Sequence, residues 1–360
     1  MHLRETMQGL PRFVQRYLTF VTGAPLPDEQ PLIHWTPAKA AILGVAQTAA
    51  GVALGALALR PFTVWSILLL VLAWLTTAGG MRRLDVVIVH QTLHGKVAKT
   101  ARGNRVAGEL VTTLLWRVPY DANRKEHLNH HAYPCSMKDV DTRYLLSTGM
   151  RPGMSRGEYH RYMLRILLSP KAHGSVFSGR IKANFTRHQP GYRLAMSIAY
   201  AAMTLAFLVT TGLWAEWLLL WVVPVSFFFQ NATFLYTQTE HRWWRFGNAE
   251  KLTRQQRDEL NFARFCGEAT PDVAGLAPAK RMVAWTKWWL RVFFVHTPYR
   301  LFVLVGDTVQ HDLHHTRPSC DWAASAYERR ADMAGSSKRY SEVWGSILDH
   351  LYAAGQVQAR

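Results

Sequence analysis

Hydropathy along this chain comes in blocks. Residues 40–59 carry no charged side chain, Arg60-Pro61 interrupts, and residues 62–80 form a second uncharged run. Residues 194–212 and 217–236 repeat the arrangement around a short connection, Leu213 to Glu216. At about 1.5 Å per helical residue, each run covers roughly the ~30 Å hydrocarbon core of a bilayer. The pattern predicts four transmembrane helices in two hairpins. Trp214, Trp217 and Trp221 gather at one hairpin end, as in the aromatic belt of a membrane interface.

The remaining sequence is polar and divides around these hairpins. Residues 1–38 are expected to be an N-terminal cytosolic or interfacial segment, 39–80 the first hairpin and 81–192 a cytosolic segment. Residues 193–236 form the second hairpin, and 237–360 a cytosolic C-terminal segment. Within the first segment, Arg12 to Leu18 can form a short amphipathic helix on the membrane surface, ended by Pro25, Pro27 and Pro31. The apolar run 110–116 is too short to span. Residues 282–305 are apolar but broken by Lys287, Arg291, His296, Pro298 and Arg300, so helices packed on the membrane face are expected there rather than a fifth span. The first 39 residues lack an apolar h-region, so no signal peptide is expected.

The net charge of +18 admits a nucleic-acid binder or a membrane protein with a large cytoplasmic face. Distribution decides between them. Of the 42 Lys and Arg, only Arg60 lies in a turn between spans. By the positive-inside rule the polar regions and both termini are cytoplasmic, and the charge requires no nucleic acid. A bacterial inner membrane is the expected location. Cys135, Cys266 and Cys320 are far apart, with no C-x-x-C, which argues against a disulfide framework or a built-in iron–sulfur centre.

Candidate chemistry lies in the histidines. Nine of the sixteen fall in four places: His90 and His94 after the first hairpin, His127, His130 and His131 in the middle segment, His241 after the second hairpin, and His311, His314 and His315 near the end. Spacings of three and four place imidazoles on one helix face. Both hairpins thereby deliver histidines to the same side of the membrane. Nine imidazoles exceed the needs of one ion, so two metals sharing them is the economical reading, and nitrogen donors suit zinc, copper, iron or nickel. Asp85, Asp121, Glu126, Asp139, Glu240 and Asp312 are candidates to hold the far ring nitrogens, with Asn129 as a further support. The isolated His2, His34, His160, His173, His188, His296 and His350 are read as surface or core residues. A metal transporter or receptor would place ionisable ligands inside its spans, and the four apolar runs contain none.

H-Q-T-L-H at 90–94, H-L-N-H-H at 127–131 and H-D-L-H-H at 311–315 resemble the three histidine boxes of the integral-membrane fatty acid desaturase and hydroxylase superfamily. His241 in Q-T-E-H resembles that family's additional histidine. The resemblance implies an all-α fold, with four spans as a stem and a cytosolic helical cap holding two irons on the nine histidines. Gln238 stands near the place where acyl-CoA relatives hold a metal-bound water, at a different spacing. The implied activity is O2-dependent removal of hydrogen from an unactivated CH2 of a fatty acid or acyl chain held in an apolar tunnel. A desaturase is expected first; a hydroxylase or a terminal-alkene-forming fatty acid decarboxylase shares the ligand pattern. No H-P-G-G haem motif or ferredoxin-like cysteine spacing is present, so electrons are expected from an external ferredoxin, rubredoxin or cytochrome b5 with its reductase. The basic cap suits an acidic carrier.

Overall fold

The computed structural model describes residues 3–186, 190–245, 250–335 and 340–358. Four helices are long and apolar enough to cross a membrane: Pro37–Ala58, Val64–Leu93, Gly191–Thr211 and Trp214–Gln238. They follow one another as two hairpins. The first span is started by Thr36, whose Oγ1 accepts from Lys39 N at 3.2 Å, with Pro37 in the first helical position. Gly51 and Gly80 let the two spans of the first hairpin touch through their backbones, because a methyl group on either would collide with Thr77 or Thr48 of the opposite helix. Ile42, Leu57, Trp65, Leu68, Phe207 and Val209 are exposed on the outer faces, a continuous apolar surface suited to lipid.

The second span is longer than hydropathy predicts. It runs from Val64 through Arg83, continues as the wider-turned π segment Leu84–Val89, and ends with the turn His90–Leu93. Arg82, Arg83, Asp85 and His90 therefore belong to the same helix as the apolar run, which the sequence reading ended at residue 80. Their polarity is satisfied partly by protein. Arg82 Nη1 donates to Thr233 Oγ1 at 3.3 Å and lies 3.6 Å from Asp85 Oδ2, so a hydropathy drop appears where the helix does not end. Ionisable residues thus occur within the spanning helices, though toward their ends, as do Arg193 and Glu216.

Helices of the cap sit on this stem. Ala101–Leu114, which contains most of the short apolar run, turns its polar Asn104, Glu109, Thr112 and Thr113 inward and leaves Val106 and Leu110 exposed. Arg193 Nη1 reaches Glu109 Oε2 at 2.5 Å, a buried ion pair that ties the third span to the cap. The N-terminal helix Arg12–Thr22 buries Leu18 and Val21 with Met7 against Trp288 and Val292, so it is docked on protein. Residues 278–302 are helical, with Leu290, Phe293 and Phe294 exposed, and do not add a fifth spanning helix. The strands among the described residues are Ala263–Cys266 and Glu342–Gly345, a parallel pair with Ala263 opposite Glu342. This small pair joins the C-terminal segment to the region behind His241.

Candidate metal centre

Four segments deliver the nine histidines. His90 opens the last turn of the second span and His94 closes it. The π segment just before them widens the helix by one residue per turn, a distortion frequent at functional sites. Tyr120–Ala132 carries His127, His130 and His131 on its last two turns, and the short helix His311–Thr316 carries His311, His314 and His315. His241 follows the fourth span and is fixed by a backbone bridge to Asn261.

The side chains meet in two groups: His90, His94, His127, His131 and His314 in the first, His130, His241, His311 and His315 in the second. Within the first, Nε2 atoms lie 3.0 Å apart for His90 and His314, 2.7 Å for His94 and His127, 3.1 Å for His127 and His131, and 3.0 Å for His131 and His314. In the second, His130 and His241 are 3.1 Å apart and His241 and His311 3.4 Å. A neutral imidazole has one donor and one acceptor nitrogen, so Nε2 atoms converging from five rings cannot all be hydrogen-bonded to one another. A metal at ~2.1 Å from each nitrogen separates neighbouring donors by about 3.0 Å at right angles and about 3.4 Å at tetrahedral angles. The spacing fits ligands awaiting a common ion.

Protonation supports the same use. Burial pushes His127, His131, His241, His311, His314 and His315 well below the usual histidine range, with neighbouring imidazoles adding to the effect. Burial, then Lys96 and Arg124, brings His94 down to about 4. These rings are neutral near pH 7, the form that binds metal. His130 differs. Burial opposes its charge, yet Asp139, with Asp141 and Glu240, raises it to about 10. Its Nδ1 is 3.1 Å from Asp139 Oδ1 and 3.5 Å from Asp141 Oδ2, which holds a proton on Nδ1 and leaves Nε2 facing the second group.

The other supports foreseen from sequence are distributed unevenly. Asp139 takes that role directly. Glu240 is buried beside the second group, and burial together with Asp141 raises its carboxyl to about 7. Asp312 accepts from Arg329, with Nη2 2.8 Å from Oδ2, and braces the His311 helix without touching an imidazole. Asp85 pairs with Arg117, Asp121 with Arg105, and Glu126 with Arg143, at 3.3, 2.9 and 3.5 Å. Asn129 is half-buried on the His127 helix, with its backbone carbonyl accepting from Tyr133 N. Gln238 lies away from the histidines: its amide donates to Tyr162 Oη at 2.8 Å and accepts from Tyr159 Oη at 3.1 Å. Asp141 was not foreseen; only its position two residues after Asp139 could have drawn notice.

The cysteines stay outside both groups, free and buried. Among the isolated histidines, His350 Nδ1 lies 3.2 Å from Tyr299 Oη and His173 Nε2 2.9 Å from Leu167 O, both in packing roles. His2 and His188 lie outside the described residues.

A cavity of about 410 Å³ opens against both groups, reached by His90, His127, His130 and His311. An apolar tunnel was expected beside the metals, but this cavity is also lined by Arg82, Arg117, Arg180, Asp85, Asp141 and Glu240. Hydropathy cannot find such a lining, because its members come from five separate segments.

Two groups of imidazoles, each able to hold a metal ion, set between membrane-spanning helices and a helical cap, define a membrane protein built around a dimetal centre. The family model described as fatty acid desaturase matches residues 65–324, and the chain belongs to that family. No curated protein matches the chain.

Proposed function

We propose that this chain is an O2-dependent membrane oxidoreductase that desaturates an acyl chain at two irons, held by His90, His94, His127, His130, His131, His241, His311, His314 and His315. The observation that carries the reading is the convergence of nine histidines from four segments into two adjacent groups, in a member of the fatty acid desaturase family. An all-imidazole donor set suits iron and fits calcium or magnesium poorly, and zinc would bring no redox chemistry. When bound, the irons supply the capacity to reduce O2 with external electrons while a C–H bond is broken. The overall balance is CH2–CH2 plus O2, two electrons and two protons, giving CH=CH and two waters.

The chain's own residues hold and orient. Asp139 keeps the proton of His130 on Nδ1, and the Asp312–Arg329 pair fixes the helix that presents His311, His314 and His315. The distribution of basic residues supports a cap and both termini facing the cytoplasm, and a bacterial inner membrane is the location we propose. Electrons come from a ferredoxin, rubredoxin or cytochrome b5 type carrier that docks on the basic cap.

Expression in a host of defined lipid content, followed by mass spectrometry of fatty acids and headspace hydrocarbons, tests the reaction. A new double bond is expected. A hydroxyl group or a volatile terminal alkene would replace desaturation with the corresponding oxidation, and purified protein free of redox-active metal after iron-replete growth would remove the reading altogether.

A further inference from the structure

The cavity against the histidines is lined by several charged side chains. Arg82 and Asp85 come from the second span, Arg117 follows the Ala101–Leu114 helix, and Arg180 comes from Pro170–Phe185; all four line the cavity. Arg117 Nε is 3.3 Å from Asp85 Oδ1, and Arg82 Nη1 is 3.6 Å from Asp85 Oδ2. Arg180 turns instead to Val225 O, at 3.3 Å, and to Gln230 Oε1. Two guanidinium groups thus share one carboxylate, and Arg180 has neutral acceptors only. Of the cavity's other acids, Glu126 faces Arg143 and Asp141 faces His130 with Arg117 further off, while Glu240 lies by Tyr236 and within electrostatic reach of Arg82.

Arg82 is fully buried, and its Nε and Nη2 have no hydrogen-bond partner. Arg180 is 6% exposed. Buried guanidinium groups are costly, and unsatisfied buried donors such as those of Arg82 call for a partner. The partner that matches is an anion with two acceptor oxygens, which arginine forks bind in a bidentate manner.

We propose that Arg82, Arg117 and Arg180 form a carboxylate subsite, and that the substrate enters this cavity as a free carboxylic acid whose carboxyl-proximal C–H bonds face the histidine groups. The inference rests on the acyl-oxidising reading above and adds substrate form and position to it. Asp85 precedes His90 by five residues, at most about 7.5 Å of rise at the ~1.5 Å per residue of an α-helix. A fully extended chain advances at most about 1.2 Å per bond, since three bonds span ~3.6 Å. The oxidised carbon therefore falls within roughly six bonds of the carboxyl carbon. A thioester or phospholipid ester has no carboxylate to offer the subsite, so these forms are poor substrates.

Iron-loaded protein in nanodiscs, supplied with a reducing carrier, is offered one saturated fatty acid as free acid, methyl ester and CoA thioester. Turnover of the free acid is expected, with the change mapped by mass spectrometry to about the first seven carbons. The Arg117→Met variant should weaken binding of the labelled free acid roughly tenfold or more by equilibrium dialysis, the scale of a lost charged hydrogen bond, with KM rising and partial rescue by Arg117→Lys. Arg117 is a quarter exposed, which favours a folded variant. The comparison of the three substrate forms needs no variant at all. Equal or better use of the ester or thioester, or a product altered only at about the eighth carbon or beyond, overturns the subsite while leaving an acyl oxidase intact. Binding of the free acid that depends on Arg117, without oxidation of any form, leaves the subsite standing and overturns the reaction assigned above.

Discussion

The two histidine groups sit side by side yet are built differently. In the first, His90, His94, His127 and His131 are half-buried and only His314 is buried; in the second, His130, His241 and His311 are buried and only His315 is half-buried. Carboxylates stand behind the second group: Asp139 and Asp141 on His130, and Asp312 with Arg329 behind the His311 helix. The described contacts of the first group include no carboxylate on an imidazole; His90 Nδ1 has Val86 O at 3.3 Å. Outer contacts of this kind fix ring orientation and raise ligand basicity. The second group is thus the braced, preorganised half, and the first the more accessible half that can exchange ligands or metal more readily.

Breaking the braced half should have the largest effect. His130→Ala removes a ring that belongs to the second group and lies on the helix supplying the first, so product formation should fall by more than about 100-fold, beyond the ~10–100-fold typical of outer-shell changes. Membrane insertion should be retained, and undiminished turnover would sink the ligand assignment. Next comes Arg329→Met, which leaves Asp312 buried without its partner. A loss of about 3–5 kcal/mol is the scale for a broken buried pair. It should appear as a lowered Tm of the solubilised protein, and an unchanged Tm would mean that Asp312 finds another donor. Asp139→Asn keeps the shape but weakens the hold on His130 Nδ1, and should cost roughly 10–100-fold in metal affinity at the second group only. Metal titration resolving two classes of site would show whether the loss is confined to one.

Much of this asymmetry was invisible in the sequence, although the ligands were not. His-x-x-His-His on two helices is a local signal, since three- and four-residue spacing alone places the rings on one face. The apolar runs were equally local, and all four became helices. What failed to show were quantities set by distant pairing. The second span outlasts its hydropathy because Arg82 reaches Thr233, 151 residues away. The cavity is polar because arginines from three segments meet there, and nothing in their separate neighbourhoods announces it. Asp85, Asp121 and Glu126 were near the right histidines in sequence but are paired with arginines in space, whereas Asp139, nine residues from His130, returns to it through the turn that follows the His127 helix.

Chelation gives a smaller and more graded contrast. Because the first group is more open, a competing chelator should remove its metal faster, giving two kinetic phases of equal amplitude; a single phase would mean that the groups open together. Acid gives the last contrast, in the metal-free protein. His94 accepts its proton only near pH 4, against an ordinary value of 6.5, and burial shifts His127, His131 and His314 in the same direction. Below pH 6.5 the unfolded chain binds protons that these folded rings refuse, so stability falls as pH drops from about 6.5 toward 4. His130 behaves oppositely. Its raised value makes its contribution complete below pH 6.5 and lost as pH climbs toward about 10. The neutral rings outnumber the single charged one, so the Tm of metal-free protein should be lower at pH 5 than at pH 7. Asp139→Asn should widen that difference by removing the favourable His130 term, and a metal-free Tm that is level or rising between pH 7 and pH 5 would contradict the lowered proton affinity of these rings, to which His241, His311 and His315 add.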